Sequence, residues 1–126
     1  EERRAQLLMD LSLNLKGLVS QRLLPRQAGK GRAAAVEIML NTPLISDLIF
    51  KGDVSEIKEI MKKSRNLGMQ TFDQALFDLF ESNIITYEDA LRSADSVNDL
   101  RLQIKLNSQR ARTQDLSAGT EHLQIV

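Results

Sequence analysis

The sequence predicts a mostly helical chain with one β-hairpin, an α+β fold, and three observations carry that expectation. Beyond residue 41 the apolar residues recur at helical spacing behind a series of helix-start signals. Between residues 18 and 40 the pattern changes to two short β-leaning runs around a glycine-bearing connector. The 126 residues, 42% hydrophobic and 27% charged, suit one ordinary domain with a real core and are too few for two.

Along the chain, residues 2–15 open with Leu8, Leu11 and Leu15 at helical spacing and Leu7 beside them, with Gly17 as a stop. Leu18 to Leu24 is β-leaning and closed by Pro25. From Arg32 to Leu40 the residues alternate: Ala34, Val36, Ile38 and Leu40 on one face, Ala35, Glu37 and Met39 on the other. Such alternation marks a strand with one wet face. Arg26-Gln27-Ala28-Gly29-Lys30-Gly31 joins the two runs into a hairpin.

The helices after residue 41 share one device at their starts. Thr42-Pro43 offers a hydroxyl cap followed by proline at the first helical position. Asp53 precedes Glu56, Thr71 precedes Gln74, Thr86 precedes Asp89 and Ser96 precedes Asp99, each at the spacing of a capping box or a near variant. Val54, Ile57, Ile60 and Met61 mark one apolar stripe; Phe72, Ala75, Leu76, Leu79 and Phe80 mark the next; Leu100, Ile104 and Leu106 mark the last. After Asn107 the repeat fails. Residues 1–41 are therefore expected as a helix-and-hairpin segment, 42–107 as a helical subdomain, and 108–126 as a polar, disordered tail.

Composition excludes several functions. Lys plus Arg and Asp plus Glu each number 17, so no global field draws the chain to nucleic acid or an anionic membrane. Without cysteine there are no disulfides or thiolate metal sites. The single histidine, His122, sits in the polar tail and reads as solvated. No apolar run approaches the ~20 residues of a membrane span. The opening Glu1-Glu2-Arg3-Arg4 shows neither an initiator Met nor a signal-peptide core, and reads as a chain cut from something longer in a reducing cytosol.

Candidate chemistry is sparse. Gly29-Lys30 resembles the tip of a phosphate loop, but a Walker A motif needs glycine where Leu24 stands and a hydroxyl where Gly31 stands. The segment also leads into a strand rather than a helix, so it reads as a hairpin connector. Glu56 with Glu59, and Glu88 with Asp89, fall in first turns or on solvent faces, where they complement helix dipoles. No carboxylates converge with histidine at metal spacing. Lys58, Lys62, Lys63 and Arg65 form a basic face, read first as solvated surface and second as a contact for an acidic partner. Arg26, Lys30 and Arg32 add a smaller cluster at the hairpin. The pair 71–82 and 86–93 imitates a helix-turn-helix, but Tyr87-Glu88-Asp89 would repel DNA where a recognition helix meets phosphates.

Four ordered strings carry a family likeness: LKGLVSQRLLP (15–25), AAAVEIMLNTPLISDLI (33–49), LGMQTFDQAL (67–76) and ITYEDALRSADSVNDLRLQIK (85–105). Together they resemble the C-terminal part of type IV pilus retraction ATPases, the PilT/PilU group of the secretion ATPase superfamily, with the PilU branch most alike. The resemblance covers roughly residues 1–107. It implies the end of a RecA-like ATPase domain followed by a helical C-terminal subdomain. The parent it implies is a hexameric, cytoplasmic P-loop motor, peripheral to the bacterial inner membrane, using ATP and Mg to power pilus retraction and twitching motility. The family's Walker A, Walker B, aspartate box and histidine box precede the matched region. The chain is thus expected to bind no nucleotide itself, with other motor copies, related pilus ATPase subunits and the pilus inner-membrane platform as partners of the parent.

One family motif maps onto single positions. PilT-type motors carry a helix reading Ala-Ile-Arg-Asn-Leu-Ile-Arg-Glu that retraction requires. The matching segment is Leu44, Ile45, Ser46, Asp47, Leu48, Ile49, Phe50 and Lys51. Ile45, Leu48 and Ile49 keep the apolar pattern, while Ser46 and Phe50 replace the arginines. The likeness implies a coupling role, and the two replaced arginines favour, over a motor that retracts alone, one accessory to a main motor. Phe50 is expected buried against the following helix; exposed, it would be a subunit or partner contact. The rival reading of the whole chain is a freestanding helical protein–protein interaction domain.

Overall fold

The structure, a computed structural model, describes residues 1–113. The expectations for His122 and for 114–126 lie outside the described residues. In order, the chain forms helix α1 (Glu2–Asn14), strands β1 (Gly17–Pro25) and β2 (Arg32–Leu40), and helices α2 (Pro43–Lys51) and α3 (Val54–Lys63). A 3-10 turn at Arg65–Leu67 follows, then α4 (Phe72–Glu81), α5 (Tyr87–Arg92) and α6 (Val97–Asn107). The two strands pair as a two-stranded sheet, the expected hairpin. Residue 70 adds an isolated antiparallel bridge to Ile38, which no local pattern announced.

Each expected cap is made. Thr42 Oγ1 accepts from the Ile45 amide at 3.3 Å and Asp53 Oδ1 from the Glu56 amide at 3.2 Å. Thr86 Oγ1 accepts from Asp89 at 3.1 Å and Ser96 Oγ from Asp99 at 3.4 Å. At α4 the box is reciprocal: Thr71 Oγ1 accepts from the Gln74 amide at 3.2 Å, and Gln74 Oε1 accepts from the Thr71 amide at 3.1 Å. These orphan donors have no partner within the helix, so only such side chains or water can satisfy them.

The alternation of β2 shows in burial only at its start, where Ala33 and Ala35 are buried and Ala34 is exposed; from Val36 to Met39 both faces are half-buried, and Leu40 is exposed. Met39 packs on the apolar cluster of its unit. Glu37 tolerates the inner face because its Oε1 pairs with Lys58 Nζ and also accepts from the Phe72 amide at 3.4 Å. A neutralised carboxylate can sit where an unpaired one could not.

The chain divides into two compact units. Among the described residues, the first comprises 1–22 and 34–75; the second comprises 23–33 and 76–113. The first is centred on buried Ile45, Ile49, Met61 and Met69, with Leu15, Met39, Ile57 and Ile60 packed against them. In the second, Leu24, Leu76, Phe80, Ile85, Leu100 and Ile104 are the large buried side chains. Burying each such side chain is worth about 1.5–3 kcal/mol. The stripes read from sequence supply most of these positions, although Val54 and Leu106 are exposed.

Residues 108–113, expected as the start of the polar tail, are part of the folded chain. Ser108 is fully buried, and residues 109–113 are helical. Ser108 Oγ accepts from the Ala111 amide at 3.0 Å and so caps this turn. The absence of an apolar repeat misled here because the segment is held by polar contacts, not by a greasy face.

Candidate functional site: the α2 helix and its seat

Helix α2 is built by strong local signals. Thr42 caps it and Pro43 occupies its first turn, where the missing N–H is no loss. Gly52 ends it in the left-handed region at φ 71°, donating to Ile49 O and Leu48 O, and the Asp53 amide returns to Leu48 O at 3.1 Å. Lys51 stands in the last turn, favourably placed for the helix dipole.

The eight residues mapped onto the retraction motif separate into two faces. Ile45, Leu48 and Ile49 are buried, and Ile45 and Ile49 belong to the central cluster of the first unit. Leu44, Asp47, Phe50 and Lys51 are exposed. Phe50, expected against the following helix, is instead 51% exposed, because its position on α2 falls beside α1. It separates two open recesses along the α1–α2 seam, of about 390 and about 290 Å³. Met9, Leu13, Pro43 and Asp47 line the first; Arg4 and Leu8 line the second. Lys51 Nζ meets Asp47 one turn back at 2.9 Å. That hydrogen bond, with the charges of Asp47 and Asp53, raises the lysine above its ordinary value.

Ser46 is where sequence reasoning underread the motif. Its Oγ donates to Ser12 O, near the end of α1. Asn41 Nδ2 donates to the same carbonyl at 3.1 Å and to Leu15 O at 2.6 Å. The last carbonyls of a helix lack internal partners. Here Asn41 and Ser46 satisfy them, and α1 is thereby tied to the start of α2. Among the described residues, buried Asn41 Oδ1 has no hydrogen-bond partner.

The other sequence candidates are dispersed. Residues 26–31 form the hairpin turn, with Gly29 and Gly31 at φ 79° and 75°. The Gly29 amide donates to Arg26 O at 3.0 Å and the Arg26 amide to Gly31 O at 3.3 Å. These donors face their own turn rather than an anion. The basic face is largely engaged: Lys58 with Glu37, Lys62 with Glu59 at 3.5 Å, and Arg65 Nη2 with Gln70 Oε1 at 3.1 Å. Among the described residues no group of three or more His, Cys, Asp and Glu is placed to hold a metal, and no helix is long and apolar enough to cross a membrane. In the second unit a recess of about 450 Å³ is bordered by Phe80, Tyr87, Ile104, Arg101 and Lys105. Phe80 and Tyr87 meet edge to face, their centroids 6.0 Å apart.

No family model matches the chain. Two of the proteins it is similar to are type IV pilus ATPases. It is 56% identical over 124 residues to the type IV pilus ATPase PilU of Pseudomonas aeruginosa, a match covering 98% of this chain and 32% of that protein. Against the retraction ATPase PilT of the same organism the identity is 37% over 93 residues, covering 74% of this chain and 27% of the relative. The crystal structure of the pilus retraction motor PilT with bound ADP superposes on 77% of this chain and 26% of its own, with a TM-score of 0.65 at 32% identity. Over almost its whole length the chain is similar to a segment of this PilU, and more so than to this PilT. It spans about a third or less of the length of these relatives.

Proposed function

We propose that the chain is the C-terminal segment of a PilU-like type IV pilus retraction ATPase and serves as its structural and coupling module. On this reading residues 1–41 complete a RecA-like ATPase core and 42–107 form the helical subdomain behind it, with 108–113 packed onto the latter. The parent is a hexameric P-loop motor at the cytoplasmic side of the inner membrane, binding ATP and Mg through residues outside this chain. Its partners are further motor copies, related pilus ATPase subunits and the pilus platform. The observation that carries the proposal is the 56% identity to PilU across 98% of the chain.

Helix α2 is the coupling element of that module. Its buried triad Ile45, Leu48 and Ile49 anchors it, and Leu44 and Phe50 are left to meet a neighbour. Ser46 hydrogen-bonds inward where the family motif has arginine, so this α2 presents an aromatic and a leucine rather than two cations. Such a helix suits an accessory motor that docks through apolar contact.

The test compares ATP turnover by the full-length parent with turnover by the 126-residue chain alone. The parent should hydrolyse ATP and the isolated chain should neither hydrolyse nor bind it. Turnover by the isolated chain at the parent's rate would overturn the division of labour.

A further inference from the structure

The turn at 108–113 makes contacts that a solvated tail has no reason to make. Arg110 Nη1 donates to Phe80 O at 2.7 Å and to Ile85 O at 3.0 Å, while Nη2 donates to Gln27 Oε1 at 2.7 Å. The guanidinium also lies over the Phe80 ring, 4.4 Å from its centroid. The turn itself is pinned to Glu81, whose two oxygens accept from Ser108 Oγ at 2.5 Å and from the Gln109 amide at 2.8 Å. One side chain thus grips the end of α4, the loop before α5 and the hairpin turn, which lies 83 residues away in sequence.

The hairpin turn needs such a grip. Gly29 and Gly31 give it a permissive backbone, and its own two hydrogen bonds close the loop without fixing its direction. What fixes it is Gln27: its amide donates to Ile84 O at 2.7 Å, and its side-chain oxygen accepts from Arg110. The Arg110 fork is suited to this, since a planar guanidinium can serve several acceptors at once and a lysine ammonium cannot span them.

We propose that Arg110 is a positioning residue for the hairpin turn, holding Gln27 against the α4–α5 loop and so setting where Arg26, Lys30 and Arg32 are presented. The clasp acts within the chain, and it holds equally in a motor or in a freestanding domain. Arg110→Ala frees the turn while the helices persist. Arg110→Lys behaves like alanine at Gln27, because the fork is gone although the charge stays.

Amide hydrogen exchange on the whole chain tests this. In Arg110→Ala the Gln27 amide should exchange at least about tenfold faster, with Leu100 and Ile104 amides changing less than about twofold. Gln27→Ala, which removes only the acceptor, should speed exchange of the Gly29 amide and leave α6 unchanged. It also keeps the test alive if Arg110→Ala does not fold. Unchanged exchange at Gln27 in Arg110→Ala would overturn the proposal. So would acceleration of Gln27, Leu100 and Ile104 by one common factor, or an unaffected Gly29 amide in Gln27→Ala.

Discussion

Helices α1 and α4 both carry several large apolar residues, and these meet different fates. In α4, Phe72, Ala75, Leu76 and Phe80 are all buried. In α1, Leu7, Met9, Leu11 and Leu13 are exposed, Leu13 at 75%, while Leu8 is half-buried and the buried member is Ser12. The difference teaches that periodicity reports where a helix is apolar, not whether this chain supplies the cover. α1 is seated by polar contacts from Asn41 and Ser46 to its last carbonyls, which need no greasy face. On the proposed reading, the remainder of a PilU-like parent covers the leucines that this chain leaves open.

The largest expected effect belongs to α4. Phe80→Ala removes a ring that is 1% exposed, and should lower stability by about 3–5 kcal/mol in urea unfolding. A loss no greater than that of an α1 leucine variant would erase the contrast. Next comes Thr71→Ala, which breaks the reciprocal box at the start of α4 and should cost about 1 kcal/mol by the same assay.

A smaller effect is expected with acid. The hydrogen bond from Ser108, with those from Gln109 and Arg110 and the charge of Arg110, holds the Glu81 carboxyl below its ordinary 4.5. Its stabilisation is therefore complete above the unfolded-state value. It fades as pH falls through the lower folded-state one. Exchange of the Gln109 amide should rise in that acid window relative to α6, and Glu81→Gln should remove this pH dependence. The smallest effect is Leu13→Ala, which should change the stability of the isolated chain by less than about 0.5 kcal/mol. The same change in the full-length parent should be costlier if the parent covers α1.

Legibility followed the range of the interactions. Caps at Thr42, Asp53, Thr71, Thr86 and Ser96 are written within four residues, so the sequence showed them and the helices they start. The hairpin and the buried triad of α2 were readable for the same reason. The inner face of β2 was not, because Glu37 is tolerated there through Lys58 and the Phe72 amide, 21 and 35 residues on. Phe50 misled because a helix position next to core residues can still point along a seam. Ser46 and Arg110 were invisible as contacts, since their partners are 34 and as many as 83 residues distant. The family resemblance found the α2 segment that composition alone would have passed over, although 44–51 shows the motif with both arginines replaced.

On the proposed reading, α2 couples hydrolysis to movement through its outer face while nucleotide chemistry resides elsewhere. The direct measurement is ATP turnover and pilus retraction, side by side, in the full-length parent carrying Leu44→Ala and Phe50→Ala. Turnover should stay within about twofold of the unsubstituted protein while its contribution to retraction falls by about tenfold or more. Turnover that falls in step with retraction, or retraction that is unchanged, would contradict the account.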